Sequence, residues 1–156
     1  MNRDNILAME AGHDLDELVG KALKFIPKIQ WWAVSGNETG IYCTFDTLHE
    51  ANDWHAKQYS KFPTGYYAAS GGKIEKAEIY KPYSEEIESA WKVVAALQSL
   101  KELRGKKVRL NVRLSILSNR TMVTIVDYLN DDVLTELIEA STPLAIAKCA
   151  ILVMLP

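Results

Sequence analysis

Residues 83–104 constrain the fold more than any other stretch. They run Tyr83-Ser-Glu-Glu-Ile-Glu-Ser-Ala-Trp-Lys-Val-Val-Ala-Ala-Leu-Gln-Ser-Leu-Lys-Glu-Leu-Arg104 and read as one long amphipathic helix. Ile87, Ala90, Trp91, Val94, Leu97 and Leu100 recur at spacings of three and four, so one face is apolar and must be covered. Ser84 stands where an N-cap belongs. Glu85, Glu86 and Glu88 lie at the positive end of the helix dipole, and Lys101 and Arg104 at the negative end. Gly105 supplies a left-handed stop. Trp91, in the middle of the stripe, is expected to be deeply buried.

What covers that face must come from the same chain or from a second copy. The 156 residues suit one domain with a real core. A hydrophobic content of 48% with 24% charged residues is that of a globular chain and excludes a disordered one. A net charge of −2 gives no global drive toward nucleic acid or a membrane surface. With only Cys43 and Cys149 there is no disulfide framework, and a reducing cytoplasm is the expected compartment. The start carries Arg3, Asp4 and Glu10 with no apolar run, unlike a signal peptide. The longest apolar stretch, residues 149–155, is too short to cross a bilayer.

Two helices open the chain: a short one capped by Asn2 or Asp4 and broken by Gly12, then one from about His13 to Phe25, ended by Pro27. Residues 29–80 change character. Residues 29–34 and 41–45 read as a hairpin around a turn at 35–40. Thr47-Leu-His-Glu50 matches a capping box and starts a helix to about Tyr59. A loop comes next, then a strand over residues 73–80. This β-β-α-β stretch is expected as an insertion or subdomain within a single domain spanning 1–156.

Beyond Gly105 lies the clearest strand. Val108, Leu110, Val112, Leu114 and Ile116 alternate with Arg109, Asn111, Arg113 and Ser115. Ser118-Asn-Arg120 turns the chain into a second strand, residues 121–128. Asp131 or Asp132 is expected to cap a short helix through Ile138. Thr142-Pro143 opens a last helix that is apolar nearly all round, with Lys148 its only charge. That helix must be buried on most sides, inside the domain or partly at a subunit contact, and a homo-oligomer is expected. Hairpins joined to helices predict an α+β fold, an α/β/α-type sandwich with an antiparallel or mixed sheet covered by helices.

Three stretches resemble one family. They are Asn5-Ile-Leu-Ala-Met-Glu-Ala-Gly-His-Asp-Leu-Asp-Glu-Leu-Val19, Pro82-Tyr-Ser-Glu-Glu-Ile-Glu-Ser-Ala-Trp-Lys-Val-Val94 and Thr142-Pro-Leu-Ala-Ile-Ala-Lys-Cys-Ala-Ile151. In that order they are similar to the start, the central helix and the closing helix of the phage ABA-sandwich family of small phage and prophage proteins. The resemblance implies a helix–sheet–helix sandwich and a phage or prophage origin. It brings no catalytic signature. Residues 29–80 do not share the family pattern, and the matching segments are mostly apolar, so they speak of fold rather than chemistry.

Candidate chemistry lies in the basic stretch 101–120. It holds seven basic residues against one acid, Glu102. Arg109 and Arg113 leave one strand in the same direction, about 13 Å apart at roughly 3.3 Å per residue. With Lys107 they could hold a phosphate through forked guanidinium contacts. The plainer role is solubility of a sheet face. Tyr66 and Tyr67, in a Pro/Gly loop, are expected to be exposed and able to stack on a ligand ring. His49 and Asp53 are four apart on a helix, but a metal site needs more converging ligands, so no metal or cofactor is expected. Cys43 and Cys149 read as packed thiols. No phosphate-binding glycine loop or nucleophile elbow occurs.

Two function classes are open to such a chain. One is a non-catalytic binding protein, by analogy a counter-defence protein that sequesters a nucleotide-derived signal, or one that binds a host or phage protein. The other is a phosphodiesterase or nuclease built on Asp127, Asp131 and Asp132. Those acids beside a histidine or metal would favour the enzyme; a pocket of arginine and tyrosine without acids would favour the binder.

Overall fold

The computed structural model describes residues 2–36 and 40–155. Its elements in chain order are α1 (Arg3–Ala8), α2 (His13–Ala22), β1 (Lys28–Val34), β2 (Ile41–Phe45), α3 (Leu48–Lys61), α4 (Tyr66–Ala69), β3 (Lys73–Ile79), α5 (Ile87–Ser99), β4 (Glu102–Leu103), β5 (Lys106–Lys107), β6 (Leu110–Leu117), β7 (Arg120–Asp127), β8 (Asp132–Glu139) and α6 (Thr142–Met154). The fold is α+β, and every sheet is antiparallel. The chain divides into two compact units, one from residues 1–26 with 80–156 and one from residues 27–79. The centre of the turn expected over 35–40 lies outside the described residues.

Unit 1 is built on α6. Its neighbours are β7 and β8 on one side and α5, α2 and α1 on the others. That explains a helix with no polar face: Ala145, Ile146, Ala147, Cys149, Ala150, Ile151, Leu152 and Val153 are all buried. The apolar surface that raised a subunit contact is therefore covered within the unit itself. Ser141 caps the helix, its hydroxyl accepting from the Leu144 amide at 3.4 Å. The sheet runs β6-β7-β8. Leu110, Val112, Val123, Ile125 and Leu137 project from one face into the core with α6. Lys148 is the exception on α6. Its ammonium is 4% exposed and donates to the Glu139 carboxylate at 2.6 Å and to the Leu7 carbonyl at 2.9 Å.

The central helix departs from expectation. It spans only Ile87–Ser99, and its buried side is Ser89, Ala90, Val93, Val94 and Leu97. Trp91 is 48% exposed and Ile87 44% exposed, so the stripe is rotated by about one position from the one read off the sequence. The cause is visible at the start. Ser84 is not a cap but a buried tie: its hydroxyl accepts from the Gly12 amide at 2.9 Å, and its amide donates to the Asp16 carboxylate at 2.7 Å. Burial pushes the Asp16 carboxyl up from its ordinary value, against the pull of the hydrogen bond it accepts from the Ser84 amide. At the other end, residues 102–107 leave the helix for a two-residue hairpin. Leu103 pairs with Lys106, and Arg104 and Gly105 turn at φ 51° and 77°. Gly105 has the left-handed backbone expected of it but serves a β-turn. Trp91→Ala should cost under about 1 kcal/mol in denaturant melts, as substitutions at half-exposed sites do.

The helix expected from Asp131 to Ile138 is instead β8, paired with β7 along its length. Its register shifts opposite Ile125 and Val126. Leu134 and Thr135 are the half-buried and buried neighbours at that bulge, which breaks strict alternation.

Unit 2 carries the sheet β2-β1-β3 with α3 against all three strands. The Thr47 hydroxyl caps α3, accepting from the Glu50 amide at 3.3 Å and donating to the Glu50 carboxylate at 2.8 Å. The one-turn helix α4 replaces part of the expected loop and delivers Tyr67 to the centre of a ring cluster. Its ring lies 4.8 Å from Trp54, 5.2 Å from Tyr42 and 6.1 Å from Tyr59. The Tyr67 hydroxyl and His55 Nδ1 are 2.8 Å apart. Gly72 runs so close that a Cβ there would meet the Tyr67 ring at 2.3 Å, which only glycine avoids.

Candidate functional site

The arginines stand where the strand puts them, on the face of β6 that points away from the core. The β6–β7 ladder continues one step past the strand, with the Tyr128 amide donating to the Arg109 carbonyl at 3.0 Å. Arg109 and Arg113 are both exposed and share the direction expected of alternate residues. Their surroundings differ. Arg113 donates through Nη2 to the Tyr128 hydroxyl at 2.9 Å, and its guanidinium carbon lies 5.2 Å from the centre of that ring. Asn111 donates to the same hydroxyl at 3.1 Å and accepts from Gln98 at 3.2 Å. Arg113, then Asn111, hold the Tyr128 phenol below its ordinary value, because both favour the phenolate. Arg113 is thus committed to a tyrosine that the sequence did not single out.

Lys106, Lys107 and Arg109 are exposed, and their side chains make no ion pair among the described residues. Three cations in four positions lie where the β4–β5 hairpin meets the start of β6. Of the three, Lys106 lines a cavity of about 240 Å³, together with Arg104 from the hairpin turn and Asp127, Asn130 and Asp132 from the β7–β8 turn. Arg104 is tied back by a hydrogen bond from Nη2 to the Val153 carbonyl at 3.0 Å. Asp127 organises the turn. It accepts from the Arg109 amide at 2.9 Å, from the Leu129 amide at 3.0 Å and from the Asn130 side chain. The Arg109 amide is the main reason its carboxyl sits below the usual carboxylate range. Asp127 and Asp132 therefore share the cavity with basic residues, and its lining holds neither a histidine nor a tyrosine, so it matches neither the lining expected of the hydrolase nor the acid-free one expected of the binder.

The tyrosines divide. Tyr66 is 67% exposed, beside Tyr42 at 6.2 Å between ring centres. Tyr67, expected to be exposed, is 4% exposed because α4 turns it into the ring cluster. Both belong to unit 2. His49 and Asp53 form an exposed pair at 3.6 Å on α3, and no cluster of three metal-binding side chains occurs among the described residues. Burial pushes the Cys149 thiol up to about 12, which suits a packed side chain rather than a nucleophile. Among the described residues no helix is long and apolar enough to cross a membrane.

Comparison with protein-family models, with curated proteins and with solved structures finds no match to this chain.

Proposed function

We propose that the chain is a non-catalytic binding protein of phage or prophage origin that holds a phosphate-bearing small molecule, a nucleotide-derived host defence signal being the kind of ligand intended. The observation that carries the reading is a run of three exposed cations, Lys106, Lys107 and Arg109, without an ion pair among the described residues, of which Lys106 lines the cavity. Cations left uncommitted on a strand and a tight hairpin suit an anion seat, since the backbone that carries them has little freedom left to lose. Asp127 supports the binder over the hydrolase: its oxygens are used to hold the turn. Arg113, engaged by Tyr128, has a lesser part than Arg109.

The test is calorimetry against a panel of cyclic and linear nucleotides. Arg109→Ala and Lys107→Ala should each weaken binding by more than about tenfold. Arg113→Ala should cost less, and added salt should weaken binding throughout. Absence of binding across the panel, or equal affinity in wild type and an Arg109→Ala/Lys107→Ala variant, overturns the reading.

A further inference from the structure

The face of the unit 1 sheet opposite α6 is only partly polar. Val133 is 60% exposed, Ile138 45% and Leu117 43%. The cross-strand register puts all three on that face, because Val133 pairs with Val126, Ile138 with Met122, and Leu117 with Arg120. One row across it is charged at both ends. Arg113 on β6 pairs with Thr124 on β7, and Thr124 pairs with Glu136 on β8. The Thr124 hydroxyl donates to the Glu136 carboxylate at 2.9 Å, leaving the other carboxylate oxygen without a hydrogen bond among the described residues. A cation thus sits on one edge strand and an anion on the other, with β7 midway.

That arrangement is self-complementary. Take a two-fold axis parallel to β7 and lying above the face. It exchanges left and right, so β6 of one copy covers β8 of the other, and positions along the strands are kept. Arg113, whose Nη2 is used by the Tyr128 hydroxyl, then offers its remaining guanidinium N–H groups to Glu136 of the second copy, and Glu136 meets its Arg113. The other in-plane axis, across the strands, would set Arg113 against Arg113. Apolar Val133, Ile138 and Leu117 flank the row, and aligned sheet packing tolerates strand directions within about 30°.

We propose that two copies of this chain associate face to face through the outer surface of the β6-β7-β8 sheet, with reciprocal Arg113–Glu136 pairs fixing the register. The proposal does not rest on the phosphate site, which uses Lys106, Lys107 and Arg109. Three strands of eight residues give a flat footprint of about 380 Å² on each copy, from strand spacings of about 4.8 Å and rises of about 3.3 Å. Counted over both copies that is about 760 Å², below the roughly 1,000 Å² that a stable interface clears, so the dimer should be weak and transient, with a dissociation constant of about 100 μM.

Sedimentation velocity from about 1 to 200 μM should show a monomer–dimer equilibrium in the wild type. Arg113→Glu places acids at both ends of the row and Glu136→Arg places bases at both ends. Each variant alone should dissociate at least about tenfold more readily, because both reciprocal pairs become repulsive. Mixed in equal amounts, the two should form a heterodimer, since each then meets its opposite charge twice. Both positions are exposed, and circular dichroism should show the folds unchanged. A wild type that stays monomeric at the top concentration overturns the proposal. So does a wild-type dimer indifferent to the reversals, or a mixture that stays as monomeric as its components.

Discussion

Glu139→Ala is expected to cost unit 1 about 3–5 kcal/mol, the loss seen when one partner of a buried ion pair is removed. Lys148 lies in a helix otherwise packed with aliphatic side chains, and its ammonium is 4% exposed. Without Glu139 it keeps only the Leu7 carbonyl at 2.9 Å. The converse substitution should be milder. Lys148→Met puts an apolar chain of similar length into an apolar site, while Glu139, with 18% of its side chain exposed, can turn toward water. A double Lys148→Met/Glu139→Ala variant should therefore be more stable than Glu139→Ala alone, since it leaves no buried charge without its partner. Urea melts of the three variants check this; additive losses would show that the pair is not coupled.

Tyr67→Ala is expected to cost unit 2 a similar amount, about 3–5 kcal/mol, as for a large buried aromatic. The ring has neighbours on all sides, and its removal leaves Tyr42, Trp54 and Tyr59 facing a void. Tyr67→Phe should cost only about 1 kcal/mol, the net worth of the contact with His55. Tyr66→Ala, at an exposed site, should stay within about 0.5 kcal/mol. Native-state hydrogen exchange is the suitable measurement, because it reports each unit separately. The Tyr67 phenol also carries a pH signature. Burial pushes it up to about 12 from 10.0, so the unfolded chain gives up this proton before the native one does. Its stabilisation is complete below pH 10.0 and is lost as pH rises through about 12. Tyr67→Phe should flatten that alkaline loss.

The sequence was legible where one signal dominated. The capping residues Asn2 and Thr47, the strict alternation of β6 and the all-round apolar α6 each translated directly into structure. It misled where two periods competed. In 133–138 the apolar positions Val133, Leu134, Leu137 and Ile138 mimic a helical stripe, because the bulge beside Leu134 breaks the period of two. Ser84 was misread because its partners, Gly12 and Asp16, are about seventy positions away and no local rule anticipates them. The candidate site was readable as a basic, one-sided strand but not as a division of labour. That Arg113 is spoken for depends on Tyr128, which comes just after β7 and reaches it only through cross-strand pairing. Tyr67 failed as an exposed residue for a similar reason: α4 is too short to leave a periodic trace.

The placement of α6 also dictates an order of assembly. Leu7 and Lys148 meet across 141 positions of chain, and α1 and α2 find their cover only when α6 has been synthesised. Unit 2, an unbroken run of residues 27–79, can close while the ribosome is still translating residues 80–156. Unit 1 cannot. Its first two helices emerge early and wait with their apolar stripes bare, and contacts this distant in sequence form slowly. A ribosome that stalls before Thr142 would thus leave a chain whose middle is finished and whose two flanks are not, a natural client for chaperones that bind nascent apolar helices.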